Sequence, residues 1–317
     1  MTTLTARTPE DLLAVAPVVL GFQPADSVVM LTFGGPRCFH ARVDLPPPQG
    51  AAEWTAELVD ALLRPALQHG VGRVVFLLYT DVPLAADRIC RRLVRGFREA
   101  GIEVVDALRA DGRRWFPLLR HRRDVPAGGV PYDLSSHPFT AQAVLDGRVL
   151  QPSRGELAAT LRPVPARVAA LLAAREDAPE QPDGCPDRVS ALVGRHVAAG
   201  TLPDDAEAAR LLVAVTSSPV VRDAVWAGIR RDDARCHVAV WTDLLRRAPE
   251  DLAPAAAALL AVSAWVAGHG ALAWCAVDRA LELDPGHGLA RLVAGLLEEA
   301  VPPPEDPEVL AKGASRP

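Results

Sequence analysis

The chain has 317 residues, of which 50% are hydrophobic and 23% are charged, and its formal net charge is −5. These proportions are those of a folded globular protein and exclude collagen-like, disordered and disulfide-framework chains. The length allows one large domain or two modest ones, with a core that needs no metal or disulfide to fold.

The basic residues are almost all arginine. Lys312 is the only lysine, so 33 of the 34 basic side chains are Arg. Together with the 29 prolines and the abundant alanines, whose codons are GC-rich, this bias indicates a high-GC genome. The negative net charge argues against a surface that coats nucleic acid.

The pattern of cysteines and apolar runs indicates a cytoplasmic protein. The longest apolar stretch, 253–267, is interrupted by Pro254 and Ser263 and is shorter than the ~20 residues that a membrane helix needs. Residues 1–20 lack the layout of a secretory signal. No CxxC motif occurs, so we expect free thiols and no metal at the five cysteines, Cys38, Cys90, Cys185, Cys236 and Cys275.

Residues 1–136 alternate helix and strand patterns. Thr8 is a helix N-cap followed by Pro9, and Gly21 ends that helix. Further helices are predicted over 52–69 and 84–100, and strands over 27–33, 37–45, 73–80, 102–108 and 113–119. This order predicts an α/β domain in which helices cover a mixed sheet. We expect 73–80 to be the central strand, 27–33 to pair antiparallel with the second strand, and every strand to lie before about residue 125.

The rest of the chain shows helix patterns alone. We assign 137–186 to connecting helices and a linker rich in Pro and Asp, 187–301 to an all-α domain, and 302–317 to a disordered tail. The predicted helices of the all-α domain are 187–199, 204–216, 220–231, 234–247, 254–267, 271–283 and 287–300.

A first candidate site lies at the end of the predicted hairpin. Polar residues, among them Arg42 and Asp44, alternate with apolar ones along the second strand. A turn at Gly34–Pro36 would place Val28 opposite Arg42 and Asp26 opposite Asp44. An Arg between two acids can bind an anionic group or hold an acid ionised. The alternative is an ordinary ion pair on a solvated strand face.

Asp81 is a further candidate for the same ligand pocket. It follows the predicted central strand, where open α/β sheets often place ligand groups. It is equally well placed to cap the next helix, and we expect the cap.

A second candidate is a basic face on the predicted helix 84–100. Residues 84–124 contain 11 Arg and 6 acids, and a further basic cluster follows at Arg120, Arg122 and Arg123. The pattern fits contact with phosphates or nucleic acid, but little aromatic interleaving accompanies it, so a solvated helix face is the alternative. We expect no tight DNA binding by the face formed by Arg88, Arg91, Arg92, Arg95 and Arg98.

The usual catalytic motifs are absent from the sequence. GxxxxGK[ST], HExxH and GxSxG do not occur, and the eight histidines are dispersed. The segment 268–273 imitates a dinucleotide-binding GxGxxA but follows a helix pattern instead of a strand. We therefore assign no catalytic residue, no metal and no cofactor, expect no ATP or GTP hydrolysis, and leave open whether the protein is an enzyme.

The segment 254–287 resembles a tetratricopeptide repeat. It has small or apolar residues at the expected positions and closes with Leu283-Asp284-Pro285. Small residues allow two antiparallel helices to approach, and Gly268 permits the turn between them. The resemblance implies a helix pair that binds a peptide or packs against its neighbours.

Nearly the whole chain resembles an actinobacterial family known as domain of unknown function 4192. The resemblance rests on Thr8–Leu13, on the run Leu-Gly-Phe-Gln-Pro-Ala-Asp-Ser that ends at Ser27, on Arg42-Val43-Asp44-Leu45-Pro46 and on the segment from Ala264 to Pro285. Relatives pair cysteines after a Trp-rich strand, whereas residues 118–131 here contain no Cys, so no thiol or metal role carries over. The resemblance implies no activity.

Three functions follow as hypotheses. The first is a non-enzymatic cytoplasmic protein with a helical surface in its C-terminal part that binds a protein or peptide. The alternative is an enzyme or small-ligand-binding domain with a pocket formed by Asp26, Arg42, Asp44 and Asp81. The third is nucleic-acid binding through the Arg-rich helix, and we do not expect it. No membrane contact is predicted, and the sequence leaves the oligomeric state open.

Overall fold

A computed structural model describes residues 6–34, 39–45, 51–119, 125–176 and 184–303, the first three residues of the third range by their backbone alone. The chain divides into two compact units, Met1–Arg154 and Gly155–Pro317. Arg37, Cys38 and most of the predicted Gly34–Pro36 turn lie outside the described residues, as do 120–124, most of the predicted linker and all but the first residues of the predicted tail.

The N-terminal unit is built on one mixed sheet, as the sequence predicts. Its described strands follow the order β2-β1-β3-β4-β5-β6, and β3 and β4 are the parallel pair. All other neighbouring strands are antiparallel. The strands are β1 (Ser27–Phe33), β2 (His40–Asp44), β3 (Arg73–Tyr79), β4 (Glu103–Ala110), β5 (Arg114–Pro117) and β6 (Val130–Pro131).

The central position of β3 is confirmed, and so is the antiparallel pairing of β1 with β2. β3 is an uninterrupted apolar run after Arg73, as a strand covered on both faces requires. The expectation that every strand lies before about residue 125 is wrong, because β6 pairs with Trp115 and Arg114. A two-residue strand ending in proline is too short to show alternation.

Helices cover both faces of the sheet. They are α1 (Pro9–Leu20), α2 (Ala51–Gln68), α3 (Pro83–Glu99) and α4 (Pro138–Leu145). α2 and α3 share one core with Val28 and Phe76, and the rings of Phe76 and Phe97 meet edge to face at 5.0 Å. On the opposite face, Leu13 of α1 packs with Val29, and α4 packs against α1.

The start of α1 is fixed by a capping box, as its sequence predicts. The Oγ1 of Thr8 accepts the Asp11 N–H at 3.1 Å, and the Asp11 carboxylate accepts the Thr8 N–H at 3.0 Å. Burial opposes ionisation of Asp11, but backbone donors from Arg7 and Thr8 and the His137 ring outweigh it and lower the pKa of this carboxyl. Gly21 ends the helix with a positive φ of 80°.

The C-terminal unit is helical throughout its described residues. α11 lies at its centre: every residue of this helix except Pro254 is buried, and α8, α9, α10, α12 and α13 all pack against it. The helices are α5 (Arg154–Ala159, which begins at the unit boundary), α6 (Pro165–Glu176), α7 (Pro186–Ala199), α8 (Asp205–Ser217), α9 (Pro219–Ala227), α10 (Ala234–Arg247), α11 (Ala253–Val266), α12 (Gly270–Leu283) and α13 (Gly288–Glu298).

A buried charge network joins three of these helices. The guanidinium of Arg247, 4% exposed, donates to Asp243, to Asp205 Oδ1 at 3.0 Å and to the Pro203 carbonyl at 2.8 Å. Arg167 Nη2 donates to Asp243 Oδ1 at 2.6 Å. Each buried charge is therefore paired, as burial of a charge requires.

Among the described helices, none is both long enough and apolar enough to cross a lipid bilayer.

Candidate functional site

The predicted pocket residues lie along one edge of the N-terminal sheet. The carboxyl ends of the parallel strands β3 and β4 define this edge, and β1 begins and β2 ends there because both pair antiparallel with their neighbours. Asp26, Asp44 and Asp81 are all exposed at this edge. Ligands of open α/β sheets bind preferentially outside the carboxyl ends of strands.

The register of the hairpin differs from the predicted one by a residue. Ser27, and not Asp26, lies opposite Asp44, and Val29 lies opposite Arg42. The predicted assignment of strand faces is correct, because the alternating apolar residues of this segment, among them Ala41 and Val43, pack on the α2–α3 side of the sheet. Arg42 and Asp44 therefore share the α1 side of the sheet with Ser27.

Arg42 is half of an ion pair and is largely buried. Its Nη2 donates to Asp44 Oδ1 at 2.6 Å, with 14% and 66% of the two side chains exposed. It also reaches the Ala25 carbonyl at 3.4 Å, and the guanidinium carbon lies 5.5 Å from the centre of the Phe22 ring. The expected ion pair is thus formed with Asp44. Within the described residues, Asp26 forms no ion pair with Arg42.

Three buried polar atoms at this edge have no hydrogen-bond partner among the described residues. They are Arg42 Nε, the Ser27 hydroxyl and the Tyr79 hydroxyl. Ser27 lies directly opposite both Asp44 of β2 and Tyr79 of β3, so all three side chains stand on the α1 side of adjacent strands. Burial raises the pKa of Tyr79 well above its ordinary value, and the nearby Tyr132 adds to this, so its hydroxyl stays protonated.

Asp26 adopts a left-handed backbone conformation with a φ of 40°. Such a conformation is uncommon outside glycine, and Asp is among the residues that tolerate it. The conformation precedes the first residue of β1, and the Asp26 carbonyl accepts the Leu45 N–H at 2.8 Å. Asp26 is therefore exposed at this edge on a backbone conformation that few other residue types adopt.

Asp81 does not cap α3, which corrects the expectation from sequence. The N-cap is Val82, without a side-chain cap bond, and the Val82 N–H is taken by Thr80 Oγ1 at 3.2 Å. Pro83 takes the first helical position, where a backbone N–H would have no partner within the helix and its absence costs nothing. Asp81 forms no hydrogen bond or ion pair with the other described residues of the edge.

A second buried guanidinium at the same edge is fully engaged on the opposite face. Arg109 of β4 donates to the Thr80 carbonyl at 3.2 Å and stacks on the Phe116 ring at 3.7 Å. Sequence reasoning does not single out Arg109, because it is one of many arginines in this part of the chain. Its contacts explain it as a structural residue that fastens the end of β3 to β5.

The predicted basic face is exposed on α3. Three of its members, Arg91, Arg95 and Arg98, line a cavity of about 390 Å³. Burial raises the pKa of Cys90 at the base of this cavity to about 12, so the thiol is protonated and not nucleophilic. Arg88 and Arg92 are exposed outside the cavity. Arg120, Arg122 and Arg123 lie outside the described residues.

The C-terminal unit exposes large apolar side chains singly. Leu172, Leu202, Val220 and Leu292 are exposed on α6, a loop, α9 and α13, so the described residues offer no continuous apolar stripe. Within the described ranges, no three side chains of the metal-ligating types come together.

The architecture defines the class of protein: an α/β unit with a mixed sheet, followed by a helical unit. The model of the family described as Domain of unknown function (DUF4192) matches residues 9–304, and the chain belongs to this family. In the corresponding comparisons, no curated protein and no solved structure matches the chain.

Proposed function

We propose that the N-terminal unit binds a small molecule at the carboxyl edge of its sheet. The observation that carries the proposal is the group of unpartnered buried atoms, Arg42 Nε and the hydroxyls of Ser27 and Tyr79. A buried polar group without a partner costs about 1–3 kcal/mol. A ligand that supplies the missing partners recovers this free energy on binding.

The charges at the edge indicate what the ligand carries. Arg42 Nε is a donor and the two hydroxyls can donate, so the ligand presents an acceptor oxygen to the buried side. Asp26 and Asp81 are exposed at the open side and are not ion-paired within the described residues. A cationic group on the ligand complements these acids. A ligand that carries both an acceptor oxygen and a cationic group is a small zwitterion of the amino-acid type.

The helical interaction surface, our first hypothesis from sequence, receives less support. It requires a continuous apolar surface, and the exposed apolar side chains of the C-terminal unit are dispersed. The tetratricopeptide likeness of the α11–α12 pair, the cytoplasmic location and the actinobacterial source stay predictions.

The test uses the full chain and the free amino acids as probes. Thermal melts and isothermal titration calorimetry should show a saturable rise in Tm and heat of binding for at least one amino acid. A simple amine and a simple carboxylate of the same size should give neither. If none of the amino acids binds, the proposal is wrong.

Tyr79→Phe separates a ligand site from an ordinary core position. Because the hydroxyl has no partner, the variant should be as stable as the parent or up to about 1 kcal/mol more stable, while amino-acid binding weakens. Thr32→Val is the matched control on β1, because the Thr32 hydroxyl is hydrogen-bonded to the Phe39 backbone. It should lose stability and keep binding. A Tyr79→Phe variant that loses stability but binds normally would contradict the proposal.

A further inference from the structure

The basic cavity on α3 is separate from the sheet-edge site. Its described lining combines the guanidinium groups of Arg91, Arg95 and Arg98 and one carboxylate, Glu99, with the side chains of Cys90, Val94, Leu118 and Leu119. Three cations against one acid leave the lining with a net positive charge. The volume of about 390 Å³ lies in the range of ligand-binding cavities. We call the half-buried side chains Val94, Leu118 and Leu119 its apolar floor; the three arginines are exposed.

The three arginines are available for an external partner. All three are exposed, and none forms an ion pair or hydrogen bond with another described residue. They follow each other at spacings of four and three residues, so they stand in one row about 10 Å long on the helix. The planar guanidinium group favours carboxylates and phosphates, which it can bind through two parallel hydrogen bonds.

We propose that this cavity binds an acidic, amphipathic peptide segment of a partner protein. A row of three cations exceeds the reach of one small anion and matches carboxylates repeated every three or four residues on a helix. The aliphatic floor accepts an apolar side chain next to those carboxylates. A nucleic-acid strand fits less well, because the described lining offers no aromatic side chain for base stacking.

The experiment measures fluorescence anisotropy of a labelled synthetic peptide with Glu on one helical face and Leu on the adjoining face. The full chain should bind it, and the affinity should fall as the salt concentration rises. Replacing the peptide's Glu by Gln, or its Leu by Gln, should each weaken binding by about tenfold. Equal binding of the Glu-to-Gln peptide would overturn the proposal.

Variants of the chain locate the surface. The triple variant Arg91→Ala, Arg95→Ala and Arg98→Ala should weaken binding of the peptide by about tenfold or more, with an unchanged melt. Arg88→Ala, on the same helix but outside the cavity, is the matched control and should change affinity by less than about twofold. Peptide binding that survives the triple replacement contradicts the proposal.

Two further measurements test the ligand class. Val94→Thr should weaken the binding of the Leu-containing peptide but leave the weaker Leu-to-Gln peptide unaffected, because only the former uses the apolar floor. A single-stranded oligonucleotide of comparable charge should bind less tightly than the peptide. If it binds more tightly and loses affinity in the triple variant, the surface recognises nucleic acid and the peptide proposal is wrong.

Discussion

The two units treat a buried arginine in opposite ways. In the helical unit, Arg247 is enclosed between Asp243 and Asp205, and the pairing is internal to the fold. At the sheet edge, Arg42 pairs, within the described part of the chain, with Asp44 alone, and 66% of that acid's side chain is in solvent. The Nε atoms of both guanidinium groups lack a hydrogen-bond partner among the described residues, so the contrast lies in the paired acids. The first arrangement, around Arg247, stabilises the fold. The second shares one face of the sheet with two unpartnered buried hydroxyls, those of Ser27 and Tyr79, and this is why we place the small-ligand site in the N-terminal unit.

Unpartnered buried atoms also occur in the C-terminal unit, but their distribution differs. In the described residues of that unit one lies on α7, one on α12 and three on α10, whereas at the sheet edge three lie on adjacent strands on one face of the sheet. The group at the sheet edge is set apart by its place, where the parallel strands β3 and β4 end and where ligands of α/β sheets bind.

The strongest test of this difference is Arg247→Met. The change leaves Asp243 buried with half of its pairing, and the free energy of unfolding should fall by about 3–5 kcal/mol. Urea denaturation measures the loss. Arg210→Met on the exposed side of α8 is the control and should stay within about 0.5 kcal/mol of the parent. A small loss for Arg247→Met would show that the network is not a stabilising device.

The next effect is an acid sensitivity of the sheet unit. Burial lowers the pKa of His40 from 6.5 to about 4, and its Nδ1 accepts the Thr32 N–H at 3.4 Å. Between pH 6.5 and about 4, the His40 ring is therefore protonated in the unfolded chain and neutral in the folded chain. Stability is full above pH 6.5 and falls as the pH drops towards 4, by at most about 3 kcal/mol.

His40→Asn retains an acceptor near the position of Nδ1 but cannot take up a proton. In this variant the urea midpoint should depend less on pH between 6.5 and 4 than in the parent. Parallel slopes for the two proteins would assign the acid sensitivity to other groups.

A smaller effect is expected at the start of α1. Thr8→Ala removes the acceptor of the Asp11 N–H and should cost about 1 kcal/mol. The Asp11 pKa is lowered in the fold, so the carboxyl's contribution is present above its ordinary pKa of 3.8 and disappears as the pH falls through the lower folded value. A denaturant melt at neutral pH measures the loss, and no loss would show that the capping box is not formed in solution.

The smallest effect is Arg42→Met. Because Asp44 is largely exposed, losing the ion pair should cost only about 0–1 kcal/mol. Set beside Arg247→Met in the same denaturation experiment, it gives the comparison between the units directly. A loss as large as that of Arg247→Met would mean that the Arg42–Asp44 pair is structural. Arg42 would then no longer count as the cation of the proposed ligand site.

The sequence predicts the elements of this fold well and their fine alignment less well. Alternation along 39–45 correctly assigns Val43 to the core and Arg42 to the other face, because one buried face fixes side-chain direction. The register was displaced by one residue, since alternation does not determine the length of a hairpin turn. The left-handed conformation of Asp26 comes directly before β1, which begins at Ser27, and strand periodicity does not reveal it.

The candidate site could be predicted only in part. Arg42 and Asp44 are conspicuous as charges within a strand pattern, whereas Ser27 and Tyr79 attract little notice at the ends of apolar runs. Their burial depends on α1 lying over the sheet, a tertiary contact. The available signal was a hydroxyl residue at the start of one predicted strand, Ser27, and another next to the end of the predicted central strand, Tyr79.

The backbone conformation at Asp26 restricts which substitutions are tolerated at this position. From an Asp codon, single-base changes reach Asn, Gly, His, Tyr, Ala, Val and Glu. At a φ of 40°, glycine is free of strain and Asn is well tolerated, while a β-branched Val is not. Neutral substitutions that preserve this backbone conformation therefore lead to Gly or Asn, and neither has a carboxylate. The frequencies of Asp, Asn and Gly at this position among related chains accordingly record whether selection acts on the turn alone or on the charge it holds at the sheet edge.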